Sequence, residues 1–93
     1  MISIVNIYSN KKGEINKFLS TFYNINLNIE NDLKWKREFK NPIEISEIVG
    51  AYVDNIEKYD ISMLISLDDN MYINITQNNA DDVIKYLYER YPY

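Results

Sequence analysis

Apolar and polar positions along this chain recur first with the period of a strand, then with that of a helix, several times over. Residues 2–8 are short, mostly apolar and partly alternating, with Ile2, Ile4, Val5 and Ile7. Such a run suits a central strand covered on both faces. Ile15, Phe18, Leu19 and Phe22 then fall at i, i+3, i+4 and i+7, with Glu14, Asn16, Lys17 and Ser20 outside them. That spacing makes one apolar helix face. Ile25, Leu27 and Ile29 alternate with asparagines. After the turn residues Glu30-Asn31-Asp32, the residues Leu33, Trp35, Arg37 and Phe39 alternate with Lys34, Lys36, Glu38 and Lys40. Two alternating runs across a short polar break predict a hairpin.

Asn41-Pro42-Ile43-Glu44 has the chemistry of a helix start, with a capping side chain, proline at the first helical position and an acid three residues after the cap. Ile45, Ile48, Val49, Tyr52, Val53 and Ile56 continue at helical spacing, opposite Glu47, Asp54, Glu57 and Lys58. Ile61, Met63, Ile65 and Leu67 alternate, Asp69-Asn70 offers a tight turn, and Met71, Ile73 and Ile75 return. This predicts a second hairpin. Asn78-Asn79 is expected to cap a last helix. Asp81 and Asp82 lie in its first turn, Val83, Ile84, Leu87, Tyr88 and Tyr91 on its inner face, and Pro92 ends it.

The predicted order is β-α-β-β-α-β-β-α, an α+β chain folded as a two-layer α/β sandwich. Its first six elements follow the ferredoxin-like pattern, and a fifth strand and a C-terminal helix are added to that core. On this reading the first and fourth strands are central and parallel, and the helices cover one sheet face. Trp35, with Leu33 and Phe39, belongs to the row facing the helices. The lysines of the same strand line the other face, and Arg37 is the anomaly of an apolar row. Ninety-three residues without a linker, repeat or low-complexity tract make one domain over residues 1–93.

Composition removes much chemistry. The chain has no cysteine and no histidine, hence no disulfide framework, no imidazole base, no thiol nucleophile and no ordinary zinc site. The absence of these types weighs against an enzyme, and the sequence calls for no cofactor. An abundance of Ile, Asn and Tyr reflects an AT-rich, bacterial type of genome rather than a function. No run of about 18 apolar residues is present. The opening residues read as a strand rather than a leader, with neither a basic n-region nor a small-residue cleavage site. A cytoplasmic protein that does not enter a membrane is the expectation.

The net charge of −4 disfavours nucleic acid as a partner. It is unevenly spread. Residues 1–40 hold seven Lys and Arg against four acids, and residues 41–93 hold three against ten. An imbalance of this kind can orient a partner or favour self-association.

Five groups of residues are candidates for function. The loop Ser9-Asn10-Lys11-Lys12-Gly13 joins the first strand to the first helix, where free N–H groups and lysines suit a phosphate-type anion or small ligand. It contains no complete phosphate-loop pattern. Lys34-Trp35-Lys36-Arg37 and Lys40 set cations around an aromatic, but alternation makes Trp35 a core residue. Asp68-Asp69-Asn70 and Asp81-Asp82 are oxygen-rich, yet they lack the spacing of a calcium loop and are explained by turn and helix-start roles, so no metal site is expected. Glu44, Glu47, Asp54 and Glu57 form an acidic helix face. Tyr86, Arg90 and Tyr93 are residue types favoured in protein interfaces. The function expected from this set is a small non-enzymatic protein-binding or regulatory module. An inhibitor or immunity-type protein masking a basic site is one form. A homodimer joined by strand edges or sheet faces is another.

Overall fold

A computed structural model describes residues 3–23, 33–67 and 71–90. Within them the chain is a small α+β fold of three helices and a four-stranded antiparallel sheet. The elements are β1 (Ser3–Tyr8), α1 (Glu14–Tyr23), β2 (Lys34–Phe39), α2 (Pro42–Asp54), β3 (Ser62–Ser66), β4 (Tyr72–Asn74) and α3 (Ala80–Arg90). The sheet order is β2-β1-β3-β4. The strand expected over residues 25–29, the hairpin turn at 30–32 and the turn at Asp69-Asn70 lie outside the described residues.

The two strands expected to be central and parallel are neighbours at the centre, but they run antiparallel, with Val5 opposite Ile65 and Ile7 opposite Met63. The connectivity explains this difference. β2 also pairs antiparallel with β1, placing Trp35 opposite Ile7 and Phe39 opposite Ser3. β2 and β3 therefore run the same way, one on each side of β1. α2 is the crossover between them, as a helical connection between like-directed strands requires.

Register divides the sheet into two faces. Ser3, Val5 and Ile7 share one face with Trp35, Arg37 and Phe39, with Met63 and Ile65, and with Ile73. This is the face the helices cover. Val5, Ile7, Met63 and Ile65 are buried there against Ile15, Phe18 and Leu19 of α1, Ile45, Ile48, Val49 and Tyr52 of α2, and Val83 and Leu87 of α3. The other face presents Ile4, Asn6, Tyr8, Lys34, Lys36, Leu64, Ser66 and Tyr72. Asn6 is buried on it, because its Nδ2 donates to the Leu64 carbonyl at 3.1 Å and to Ser66 Oγ at 3.0 Å. This side chain ties β1 to β3 in one register, since a one-residue slip would turn it into the apolar layer.

Local chemistry explains the helix ends. Gly13 takes φ of 91° just before α1, a conformation that disfavours side chains with a Cβ. Asn41 caps α2, its side-chain oxygen accepting from the Ile43 N–H at 2.8 Å, with Pro42 in the first turn. α2 stops at Asp54, so Ile56 belongs to the following turn rather than to the helix. Before α3 the reciprocal pair is Thr76 and Asn79. The Asn79 N–H donates to Thr76 Oγ1 at 3.1 Å, and the Thr76 N–H donates to Asn79 Oδ1 at 2.9 Å. The cap thus starts at Thr76, earlier than the Asn78-Asn79 expected from sequence.

The burial pattern predicts contrasting truncations. Ile65→Ala, at a fully buried central position, should cost about 2–5 kcal/mol. Tyr72→Ala, at a position 63% exposed, should stay within about 0.5 kcal/mol. Urea unfolding of both variants checks the difference.

Candidate functional site

The Ser9–Gly13 loop is tied to the turn before β3. Ser9 Oγ donates to the Asp60 carbonyl at 2.6 Å and accepts the Lys11 N–H at 3.0 Å. The Glu14 carboxylate accepts the Asp60 N–H at 3.1 Å and lies 3.3 Å from Lys17 Nζ. Lys11 Nζ is 3.9 Å from the Asp60 carboxylate. A shallow polar cavity of about 160 Å³ opens beside these groups, lined by Tyr8, Ser9, Asn10, Asp60, Ile61 and Ser62. Ser9, Asn10, Lys11, Lys12 and Gly13 do form one turn, but two carboxylates stand at the same helix start. Glu14 supplies the negative charge that the helix dipole favours there, and an anion would meet repulsion from it and from Asp60. The loop is a clamp between α1 and the turn before β3.

The residues expected at a protein interface separate into two sets. Glu44, Glu47 and Asp54 are exposed on α2 within a sector of about 80° at 100° per residue. Glu57 is exposed in the turn beyond the helix. Tyr86 and Arg90 are together on α3, where the Arg90 Nη1 donates to the Tyr86 hydroxyl at 2.9 Å and the guanidinium carbon is 5.7 Å from its ring centre. Tyr93 lies outside the described residues, as do Asp68, Asp69 and Asn70. Asp81 and Asp82 occupy the first turn of α3. Among the described residues, no group of three or more acids is placed to hold a metal ion.

The Tyr86 set adjoins a surface whose other members were not singled out from sequence. Tyr86 Oη lies 3.9 Å from Met71 Sδ. Met71, Ile73, Asp82, Val83 and Tyr86 line an open groove of about 280 Å³ between β4 and α3. Met71 is 42% and Tyr72 63% exposed here, and Leu33, just before β2, is 37% exposed. Among the described residues, the two outer strands of the sheet differ in chemistry. β2 carries Lys34, Lys36, Arg37 and Glu38. Met71 to Thr76 holds no charge and no proline. β4 is short, and the Asn79 amide donates to the Asn74 carbonyl at 2.7 Å. The signal in the sequence is that uncharged run, but it becomes informative only once the strand is known to be an edge.

Trp35 is half-buried in the helix-facing row, 6.5 Å from the Tyr23 ring, and Lys34 and Lys36 line the other face. Arg37 keeps its place in the apolar row because it is exposed there. Its guanidinium carbon sits 5.3 Å from the Tyr23 ring centre and 5.4 Å from that of Phe39, a geometry in which the ring faces attract the cation. Burial pushes the Tyr23 hydroxyl up from its ordinary value, and the nearby Arg37 charge opposes that shift. Burial likewise raises the Tyr52 hydroxyl.

The Glu14 clamp generates a pH prediction. The Asp60 N–H, and then Lys17, hold the Glu14 carboxyl below its ordinary value. A carboxyl depressed in the folded state stabilises the fold above its unfolded value, and that contribution is lost as pH falls through the folded one. Glu14→Gln should therefore be less stable than the native chain at neutral pH. The gap should close as pH drops below the usual glutamate range, as urea unfolding across that range will show.

No protein-family model, curated protein or solved structure matches this chain.

Proposed function

We propose that this chain is a small non-enzymatic protein-binding or regulatory module, and that its partner docks in the groove between β4 and α3. The observation that carries the reading is an open, mostly apolar groove beside the uncharged strand β4, where the exposed Met71 joins Ile73, Val83 and Tyr86. Contiguous apolar surface of this kind is a common mark of docking sites. Asp81 and Asp82 at the α3 start, and the excess of acids over residues 41–93, complement a polypeptide with an apolar anchor flanked by Lys or Arg. An inhibitor or immunity-type role toward a basic partner fits that chemistry. A second copy would bring the same acidic charges to the interface, which favours a distinct partner over a homodimer.

The frame we propose is ferredoxin-like. Its support is β1 lying between β2 and β3 with α2 as the crossover. Residues 25–29 would supply the remaining strand of that core.

Native mass spectrometry of untagged protein from its own host tests the docking site. The native chain should carry a basic polypeptide. Met71→Asp should lose it while melting at the same temperature, and Glu44→Lys with Glu47→Lys should keep it. A bare chain, a homodimer, or a partner retained by Met71→Asp would overturn the reading.

A further inference from the structure

A second concavity lies over β2, at the other side of the described sheet, and is built differently. Phe22 and Tyr23 at the end of α1, Arg37 and Phe39 on β2, and Glu44 and Glu47 in the first half of α2 line a cavity of about 300 Å³. That is the lower end of the range, roughly 300–1,000 Å³, in which small-molecule sites fall. It suits a single compact metabolite better than a nucleotide.

Its lining holds both signs of charge, unpaired with each other. Arg37 makes no ion pair among the described residues, although two glutamates share its cavity. The Tyr23 and Phe39 rings hold the guanidinium through contacts at 5.3 and 5.4 Å. A guanidinium paired with no carboxylate can grip one with two parallel bonds through its planar fork. Neither does Glu44 or Glu47 form an ion pair among the described residues. The Asn41 side chain, rather than Glu44, meets the free N–H of Ile43. The walls between the opposite charges are aromatic.

From this we propose that the cavity binds a free α-amino acid with an apolar side chain. The ligand carboxylate would meet Arg37, its ammonium would meet Glu44 and Glu47, and its side chain would lie against Phe22, Tyr23 and Phe39. A zwitterion satisfies both charge sets together, whereas an anion leaves the glutamates unpaired and faces their repulsion, and a simple cation leaves Arg37 unpaired. The site is independent of the β4–α3 groove.

Titration of the full chain with L-leucine, followed by amide and arginine Nε–H NMR signals, tests this. The controls are 4-methylpentanoate, which lacks the amine, and isoamylamine, which lacks the carboxylate. L-Leucine should saturate at millimolar concentration, with shifts confined to residues around 22–23, 37–39 and 43–47. Each control should bind at least about tenfold more weakly, a loss that corresponds to one missing charged contact. Arg37→Gln and Glu47→Gln should each weaken binding by a similar factor with the core signals unmoved. The proposal is overturned if neither L-leucine nor L-phenylalanine shifts these signals at millimolar concentration. It is equally overturned if 4-methylpentanoate binds as tightly as L-leucine, or if Arg37→Gln binds L-leucine unchanged.

Discussion

The two ladders made by β1 place nearly everything else in this fold. Each of its residues from Ile4 to Tyr8 is opposite a partner on both sides, in β2 and in β3. Val5 and Ile7 are fully buried beneath the helices, and Asn6 pins the other face to β3 through its amide. A strand paired on both sides has no free edge, so its backbone groups are satisfied without water. Once β1 is fixed, β2 and β3 must run the same way, and α2 must cross the sheet to join them. The helix layer follows, because α2 brings Ile45, Ile48, Val49 and Tyr52 over the same apolar face that α1 and α3 cover.

Among the described residues that arrangement leaves two outer strands with different chemistry beside them. The β2 side is charged and gathers an arginine, three aromatic rings and two glutamates around a small cavity. The strand β4 is uncharged, and beside it methionine, isoleucine, valine, tyrosine and one aspartate surround an open groove. The first is lined by both signs of charge and by aromatic rings, the second almost entirely by apolar side chains, at similar volumes of about 300 and 280 Å³.

Much of the fold was legible in the sequence because its signals are local. The Asn41-Pro42 start of α2 is a matter of capping and a preset φ, and the structure shows the bond from the Ile43 N–H. Alternation placed Trp35 toward the helices and Lys34 and Lys36 on the other face, as the register of β2 shows. Strand direction was not legible. Periodicity tells which side chains share a face but not which way a neighbouring strand runs, and the parallel expectation failed for that reason. Thr76 was overlooked as a cap because the cap needs a reciprocal bond with Asn79, and a pair of asparagines nearby offered a simpler match. The docking groove was hidden for a longer-range reason. Met71 and Ile73 have the same alternation as Met63 and Ile65, and only sheet order makes one pair an edge and the other a core.

Arg37 shows how an apparent violation of pattern acquires a physical meaning. Directly opposite the fully buried Val5, a charged residue would ordinarily carry a large desolvation cost. Its exposure removes most of that cost, and Tyr23 and Phe39 supply an attractive surface in place of a carboxylate partner. A lysine would bring a compact, strongly hydrated charge that stacks poorly on rings, so the planar guanidinium is the cation suited to this setting. An ion pair with Glu44 or Glu47 would have quenched the charge and closed the hollow. Stacking preserves the charge while anchoring its position. The same residue that breaks the apolar row of β2 thereby keeps its N–H donors free of any carboxylate among the described residues.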